Sequence, residues 1–226
     1  MNLNNHPIRK ILIRTAIVVV ALAAWFWTQS LLGKRPLQDQ GIGDQIHVWT
    51  AHLNAYFGEH MQATNGLLII SSLFIDTLGI FLLGWGIIGN SFRPVLGLVF
   101  IFVLRQICQA LTAILPPQNM LWMDPGFPSL LVTYGVSTDL FFSGHTAIAV
   151  YGATELARLK KTWLTWLGVG IAMFEIVTVL VLRAHYMLDV FTGGVVALLV
   201  ASGIERWSAP VDRWFLKMNV KQGSAQ

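Results

Sequence analysis

Charge is what this sequence has least of: only 12% of its 226 residues are Asp, Glu, Lys or Arg, against roughly 25% in soluble domains. With 55% hydrophobic residues and a mean hydropathy of +0.62, the chain has too few charged groups to cover a folded surface in water. Such a hydrophobic composition also excludes intrinsic disorder. Cysteine is nearly absent. The single Cys108 has no partner within the chain, which excludes a disulfide scaffold. No repeat, heptad or low-complexity tract runs through the sequence, so collagen, coiled coils and repeat arrays are excluded too. Basic residues outnumber acidic ones, 15 to 11, but they are scattered through short loops, which excludes a nucleic-acid surface.

What the sequence does contain is long apolar runs. Stretches of about 20 residues, the length a helix needs to cross a bilayer, predict six spans at roughly 11–32, 67–89, 94–115, 139–158, 163–182 and 186–206. Hydrocarbon offers no partner to an unpaired backbone group, so each span is expected to be helical. The expected fold is all-α: a polytopic membrane protein built as a six-transmembrane-helix bundle, with one domain over 1–210 and a polar cytoplasmic tail over 211–226. The first run has a basic prefix (Arg9, Lys10, Arg14) but is too long for a signal peptide and has no small-residue cleavage site, so it reads as a retained anchor. Eleven of the fifteen Lys and Arg residues fall on the side of the termini, three (Lys34, Arg35, Arg183) fall opposite, and Arg105 lies inside a span. That asymmetry predicts cytoplasmic termini.

Between the first two spans, Ile42, Ile46, Trp49, Leu53 and Phe57 recur at helical spacing while Asp44, Gln45, His47, Asn54 and Glu59 face elsewhere. This pattern predicts an outer interfacial helix. The loop 116–138 holds Pro116, Pro117, Pro125, Pro128 and Trp122 and is expected to be irregular. It fits a roof over a site and an inert connector equally.

An ionisable side chain within a span costs several kcal/mol unless it is paired or faces water. Asp76, Arg105, Asp139, His145, Glu155, Glu175, His185 and Asp189 all need such an account. Asp139 and His145 begin the fourth predicted span, and His185 and Asp189 the sixth, so two distant segments bring two histidines and two carboxylates to one level near the outer face. His185 and Asp189, four residues apart, would stack on one helix face. A carboxylate accepting the Nδ1–H fixes the tautomer and leaves Nε2 free to attack phosphorus or take a proton. At Ser143-Gly144-His145-Thr146 a glycine permits close approach, and hydroxyl and amide groups at a helix start offer donors to an anion.

Arg105 needs an anion in mid-span; Asp76, Glu175, Asp189 and a substrate phosphate are all candidates. Arg183 lies near the interface, where a guanidinium fork suits phosphate. Glu155 and Glu175 read as structural. The spacing of His47, His52 and His60 does not place three ligands on one face, so they are assigned to a solvated face, and neither metal nor cofactor is expected.

The sequences FFSGHT at 141–146 and HYMLDV at 185–190 resemble the type 2 phosphatidic acid phosphatase superfamily, in particular its sphingomyelin synthase branch. Asp139, four residues before Ser143, is similar to that branch's C-G-D-x-x-x-S-G-H-T, and His185-Tyr186-x-x-Asp189-Val190 to its H-Y-T-x-D-V. Weaker echoes are Arg105-x-Ile107 with Thr112 ahead of a proline, and Pro36-Leu37-x-Asp39. Ser137-Thr138 stand where the branch has Cys-Gly, Met187 replaces Thr, and the phosphatase branch's K-x₆-R-P is missing, with Gly86 seven residues before Arg93-Pro94.

The resemblance implies a six-helix bundle with a metal-independent His-His-Asp site on the exoplasmic or periplasmic side. His185 would be the nucleophile, Asp189 its orienting carboxylate, and His145 the acid that protonates the leaving alkoxide and then deprotonates the acceptor. The expected reaction cleaves a phospholipid on the glycerol side of its phosphodiester. The head group then passes through a phosphohistidine to a lipid alcohol, ceramide or diacylglycerol, or to water. Arg183, Arg105 and the Ser143, Gly144 and Thr146 helix start, with Asp139 beside them, would hold the phosphate. A homo-oligomer is compatible with such a bundle.

Three rivals remain. A lipid-phosphate monoesterase would use the same triad. An ion or proton pathway needs polar groups spread through the bilayer, whereas four of these eight cluster at one face. A silent lipid-binding scaffold would be expected to have lost one of His145, His185 and Asp189.

Overall fold

The computed structural model describes residues 42–132, 134 and 140–223. The predicted first span at 11–32 and the candidate residue Asp139 lie outside the described residues. Among the described residues seven helices follow in order: α1 (Gln45–Trp49), α2 (Ala51–Glu59), α3 (Met61–Ile88), α4 (Arg93–Leu111), α5 (Gly144–Arg158), α6 (Thr162–Val181) and α7 (Met187–Gly223). Four are long and apolar enough to cross a membrane: α3, α4, α6 and the Met187–Arg213 stretch of α7. The expected count of six is not reached among the described residues.

The shortfall at the predicted fourth span has a physical reason. With 15 residues, α5 is about 22 Å long, less than the roughly 30 Å of a hydrocarbon core. None of its residues is exposed. It packs against α3, α4, α6 and α7 and buries Ala147, Ile148, Ala149, Tyr151, Gly152, Glu155 and Leu156, so bilayer thickness does not set its length. Small residues let its neighbours come close. A Cβ added to Gly168 of α6 would stand 2.8 Å from the Cα of Ala153. One added to Gly97 of α4 would collide with Tyr151, whose hydroxyl donates to the Arg93 carbonyl at 3.1 Å. Outward-facing apolar side chains on the long helices, such as Ile87, Leu111 and Trp166, are what a lipid solvent requires.

At the C-terminal end of α5, Glu155 is buried between Arg93 (Nη2 to Oε2, 2.9 Å) and Arg158 (Nε to Oε1, 3.3 Å), and Arg158 also pairs with Glu205. This cluster ties α4, α5 and α7 together and agrees with a structural Glu155. Beyond it, α7 runs through Pro210 to Gly223, and Asp212 accepts from Ser91 Oγ and Phe92 N, both at 2.7 Å. Glu175, also expected to be structural, is buried in α6 and accepts from Ser71 Oγ of α3 at 2.7 Å.

The predicted interfacial helix is divided into α1 and α2, and its polar side faces the protein. Trp49, Val48 and Leu53 are 71%, 58% and 51% exposed. Asn54 is buried and donates to the carbonyl of Val181 at 2.9 Å. The solvated-face assignment therefore fails for His47, which is buried, and holds for the exposed His52 and His60. In lipid the apolar face of such a helix turns outward, and its polar face packs inward.

Candidate active site

The N-terminus of α5 and the turn before α7 meet at one place. Ser143 caps α5 through its hydroxyl, which accepts from Thr146 N at 3.3 Å and from Thr146 Oγ1 at 3.0 Å. Its backbone N–H donates to the Asp189 carbonyl at 3.0 Å. A Cβ on Gly193 of α7 would stand 2.5 Å from the Ser143 carbonyl oxygen, so only glycine allows α7 this close. Phe141, just before the cap, has φ +78°, a strained conformation for a bulky residue. Its N–H donates to Asp189 Oδ1 at 3.1 Å.

His185 and Asp189 form the expected pair, with Nδ1–H donating to Oδ2 at 3.1 Å. They differ from expectation in one respect. Because α7 begins at Met187, His185 sits in the preceding turn and not on the helix face. The pair closes because Asp189, in the first turn, also accepts from Tyr186 N at 3.1 Å. Asp189 is fully buried and His185 nearly so. An Nδ1–H held in this way leaves Nε2 with a lone pair.

A cavity of about 290 Å³ is lined by His145, His185, Arg105, Gln106 and Gly144, with apolar walls that include Ile75, Phe102 and Trp122. His145 Nε2 is buried without a hydrogen-bond partner, and the edge of its ring meets Trp122 at 4.9 Å between centroids. A Cβ on Gly144 would stand 3.3 Å from Arg105 Nε, so the guanidinium lies directly against the start of α5. The first N–H groups of a helix have no intrahelical acceptor and carry the positive end of its dipole. The cavity thus combines a guanidinium, a helix start and two imidazoles, a set suited to an anion that reacts.

Of the loop's two readings, the structure matches the roof. Met120, Trp122, Leu130 and Leu131 line the cavity, Leu121 N donates to the Leu182 carbonyl at 2.8 Å, and Trp122 stacks on Tyr134 at 5.3 Å. Asp76 fastens it to α3 by accepting from Leu130 N at 2.8 Å and Leu131 N at 2.9 Å. Arg183 is not brought to the cavity lining. Its Nη1 donates to the Gln118 carbonyl at 2.9 Å and its Nη2 to the His47 carbonyl at 3.3 Å.

Sequence reasoning missed Gln106 and His47. Gln106 carries a signal, a second polar side chain beside an arginine in mid-span. His47 Nε2–H donates to the His185 carbonyl at 3.0 Å, and burial holds its imidazole below the ordinary value while Asp44 pulls the other way. Among the described residues no group of three His, Cys, Asp or Glu side chains gathers to hold a metal ion.

The fold and site define a class: an integral membrane protein of packed helices with a buried His–Asp pair, a second histidine and an arginine around a cavity with apolar walls. The family described as AtPDCT1/2 matches residues 43–204, from α1 well into α7, and the chain belongs to it. Phosphatidylcholine:diacylglycerol cholinephosphotransferase 1 of Arabidopsis thaliana is 23% identical over 146 residues, covering 65% of this chain and 47% of the relative. The chain thus spans about half the length of that relative. No solved structure matches the chain.

Proposed function

We propose that the protein is a membrane phosphotransferase that moves a phosphate-bearing head group from a phospholipid to a lipid hydroxyl through a phosphohistidine at His185. The observation that carries this reading is the gathering of His185, His145 and Arg105 on one cavity, with Asp189 bonded behind His185. In the first step the Nε2 lone pair of His185 attacks phosphorus and the bond from phosphorus to the glycerol oxygen breaks. His145, which takes up a proton as the anionic phosphate enters the cavity, gives that proton to the glycerol oxygen, and diacylglycerol leaves. In the second step neutral His145 takes the proton of the acceptor hydroxyl. The acceptor oxygen attacks phosphorus, and the P–N bond returns its electron pair to Nε2. Asp189 holds the Nδ1–H throughout and stabilises the positive ring, as in other triads.

Arg105, which lies against the start of α5, and the amides of Gly144 and His145 would stabilise charge on the phosphoryl oxygens. The Ser143 and Thr146 hydroxyls, bonded to each other, support the helix start. Arg183 braces the turn through two carbonyls. Asp139 is assigned beside Ser143 by the sphingomyelin synthase resemblance alone.

The name of the Arabidopsis relative supplies phosphatidylcholine as donor and diacylglycerol as acceptor, while the resemblance supplies ceramide. Both acceptors present a primary hydroxyl at the membrane interface. The charge asymmetry of the loops supports cytoplasmic termini and a site on the opposite side.

The test incubates detergent-purified full-length protein with head-group-labelled phosphatidylcholine, phosphatidylethanolamine or phosphatidic acid, with diacylglycerol or ceramide of distinct chain length. Label in a lipid carrying the acceptor's chains is the expected result. Label released only to water identifies a hydrolase, and no product from any donor with folded protein removes the reading.

A further inference from the structure

The turn that carries His185 is held from a second side by a segment outside the long helices. Asp44, the cap of α1, accepts from Ile46 N through Oδ1 at 2.9 Å and from Met187 N through Oδ2 at 2.5 Å. One turn later His47 donates from Nε2 to the His185 carbonyl at 3.0 Å, and its ring lies 5.5 Å from that of Tyr186. The backbone on both sides of Tyr186 is therefore bonded to α1. Asn54 of α2 adds its bond to the Val181 carbonyl at 2.9 Å. Asp189 fixes the His185 ring at Nδ1, but a ring attached to a loose turn would still move with its Cα. A five-residue helix would not fold alone in water, and a buried histidine and a capping aspartate spent on one backbone turn need a reason.

We propose that His47 and Asp44 are positioning residues for His185. Their bonds to the His185 carbonyl and the Met187 N–H set the turn so that Nε2 points at phosphorus. This role rests on the reading of His185 as the nucleophile. Neither side chain lines the cavity, so neither contacts the reacting phosphate, and their effect falls on the catalytic step and not on substrate binding. Trp49 and Leu53, exposed on the outer side of the same segment, seat it at the membrane interface, so the nucleophile's geometry is linked to the lipid surface from which substrate comes.

The experiment compares His47→Phe, which keeps a ring against Tyr186 but loses the donor, with His47→Gln, which restores an N–H donor. In the full-length protein, His47→Phe is expected to lose roughly tenfold to a hundredfold in kcat with KM within about twofold, since displacements of about 1 Å carry losses of that size. His47→Gln is expected to recover kcat to within about threefold of wild type. A readout independent of turnover accompanies this: in protein with ¹⁵N-labelled histidine, the Nδ1–H resonance of His185, assigned by its loss in His185→Ala, should broaden or shift in His47→Phe and return in His47→Gln.

Activity kept in His47→Phe and lost in His47→Gln would mean that ring packing matters and the donor does not, and equal losses in both would mean that a restored donor does not hold the turn; either result overturns the proposal. So would an unchanged resonance and kcat in His47→Phe. If wild type transfers no head group while the resonance still responds, the functional reading fails and the catalytic role of His47 falls with it, while the link from His47 to the geometry of the His185 ring is retained. Should His47→Phe not fold, Asp44→Leu, which loses both acceptors, against Asp44→Glu, which keeps both carboxylate oxygens, makes the same comparison at the Met187 N–H.

Discussion

Replacing Gly193 with Ala tests the closeness of the two site-bearing segments with a single methyl group. The added Cβ would lie 2.5 Å from the Ser143 carbonyl oxygen, a backbone atom that no rotamer change can move aside. Carbon–oxygen contacts settle at about 3.3–3.6 Å, so α7 and the start of α5 must separate by roughly 1 Å, which strains the bond from Ser143 N to the Asp189 carbonyl. A misplacement of that size costs about a hundredfold in rate. Stability should change less: overpacking costs about 1–3 kcal/mol, and alanine recovers up to about 1 kcal/mol of helix propensity. Gly194 provides the control. A Cβ there meets only Thr146 Cγ2 at 3.7 Å, an ordinary contact, so Gly194→Ala should keep activity within about twofold and be no less stable. The assay is initial-rate head-group transfer in mixed micelles, with thermal unfolding of each variant. Equal activity of folded Gly193→Ala and wild type would refute the idea that α5 and α7 must meet at this distance for the site to work.

Other predictions follow from the same contacts. Asp189→Asn loses the charge behind His185 and turns an amide donor towards the N–H of Phe141 or those of Tyr186 and His185, and head-group transfer should fall by about 10⁴-fold in protein shown to be folded; retention of a tenth of wild-type turnover would remove the His185–Asp189 pair from the mechanism. Glu155→Gln leaves Arg93 and Arg158 without their shared carboxylate at the far end of α5, and should lower stability by about 3 kcal/mol in chemical unfolding with little change in KM. A cysteine at the exposed Asp124, in a Cys108→Ser background, should react with an impermeant maleimide in intact cells; labelling only after permeabilisation would reverse the proposed orientation.

How much of this was legible in the sequence follows from which solvent each residue meets. The apolar runs at 67–89, 94–115, 163–182 and 186–206 emerge as α3, α4, α6 and α7, because lipid contact imposes both length and composition, although α3 starts six residues earlier at Met61 and α7 continues past the apolar run through Pro210 to Gly223. The run at 139–158 overshoots the helix it contains, because α5 is enclosed by other helices and starts only where Ser143 can cap it. The His185–Asp189 pair was legible from its spacing, although the helix begins after the histidine. Arg183 was not, since spacing cannot reveal that a guanidinium will be taken up by the carbonyls of Gln118 and His47. His47 carries no signal of its role, because the polar side of an amphipathic segment is expected to meet water and here it meets the protein. Trp122 was seen only as a member of a proline-rich loop, and its contact with His145 depends on how that loop folds over α3.

The central claim is that His185 becomes covalently linked to the head group while His145 serves the oxygen that leaves. A nitrophenyl ester of phosphocholine separates the two, because nitrophenolate departs without a proton and a glycerol alkoxide does not. Rapid mixing of His145→Ala with this ester, followed by an alkaline quench and mapping of the modified peptide, should give a burst of nitrophenolate with phosphocholine on His185, then a stall for want of a base to activate the acceptor. His185→Ala should give no burst. A burst in His185→Ala with none in His145→Ala would exchange the roles, and no burst in either folded variant, with wild type active, would contradict the phosphohistidine and leave direct attack by the acceptor.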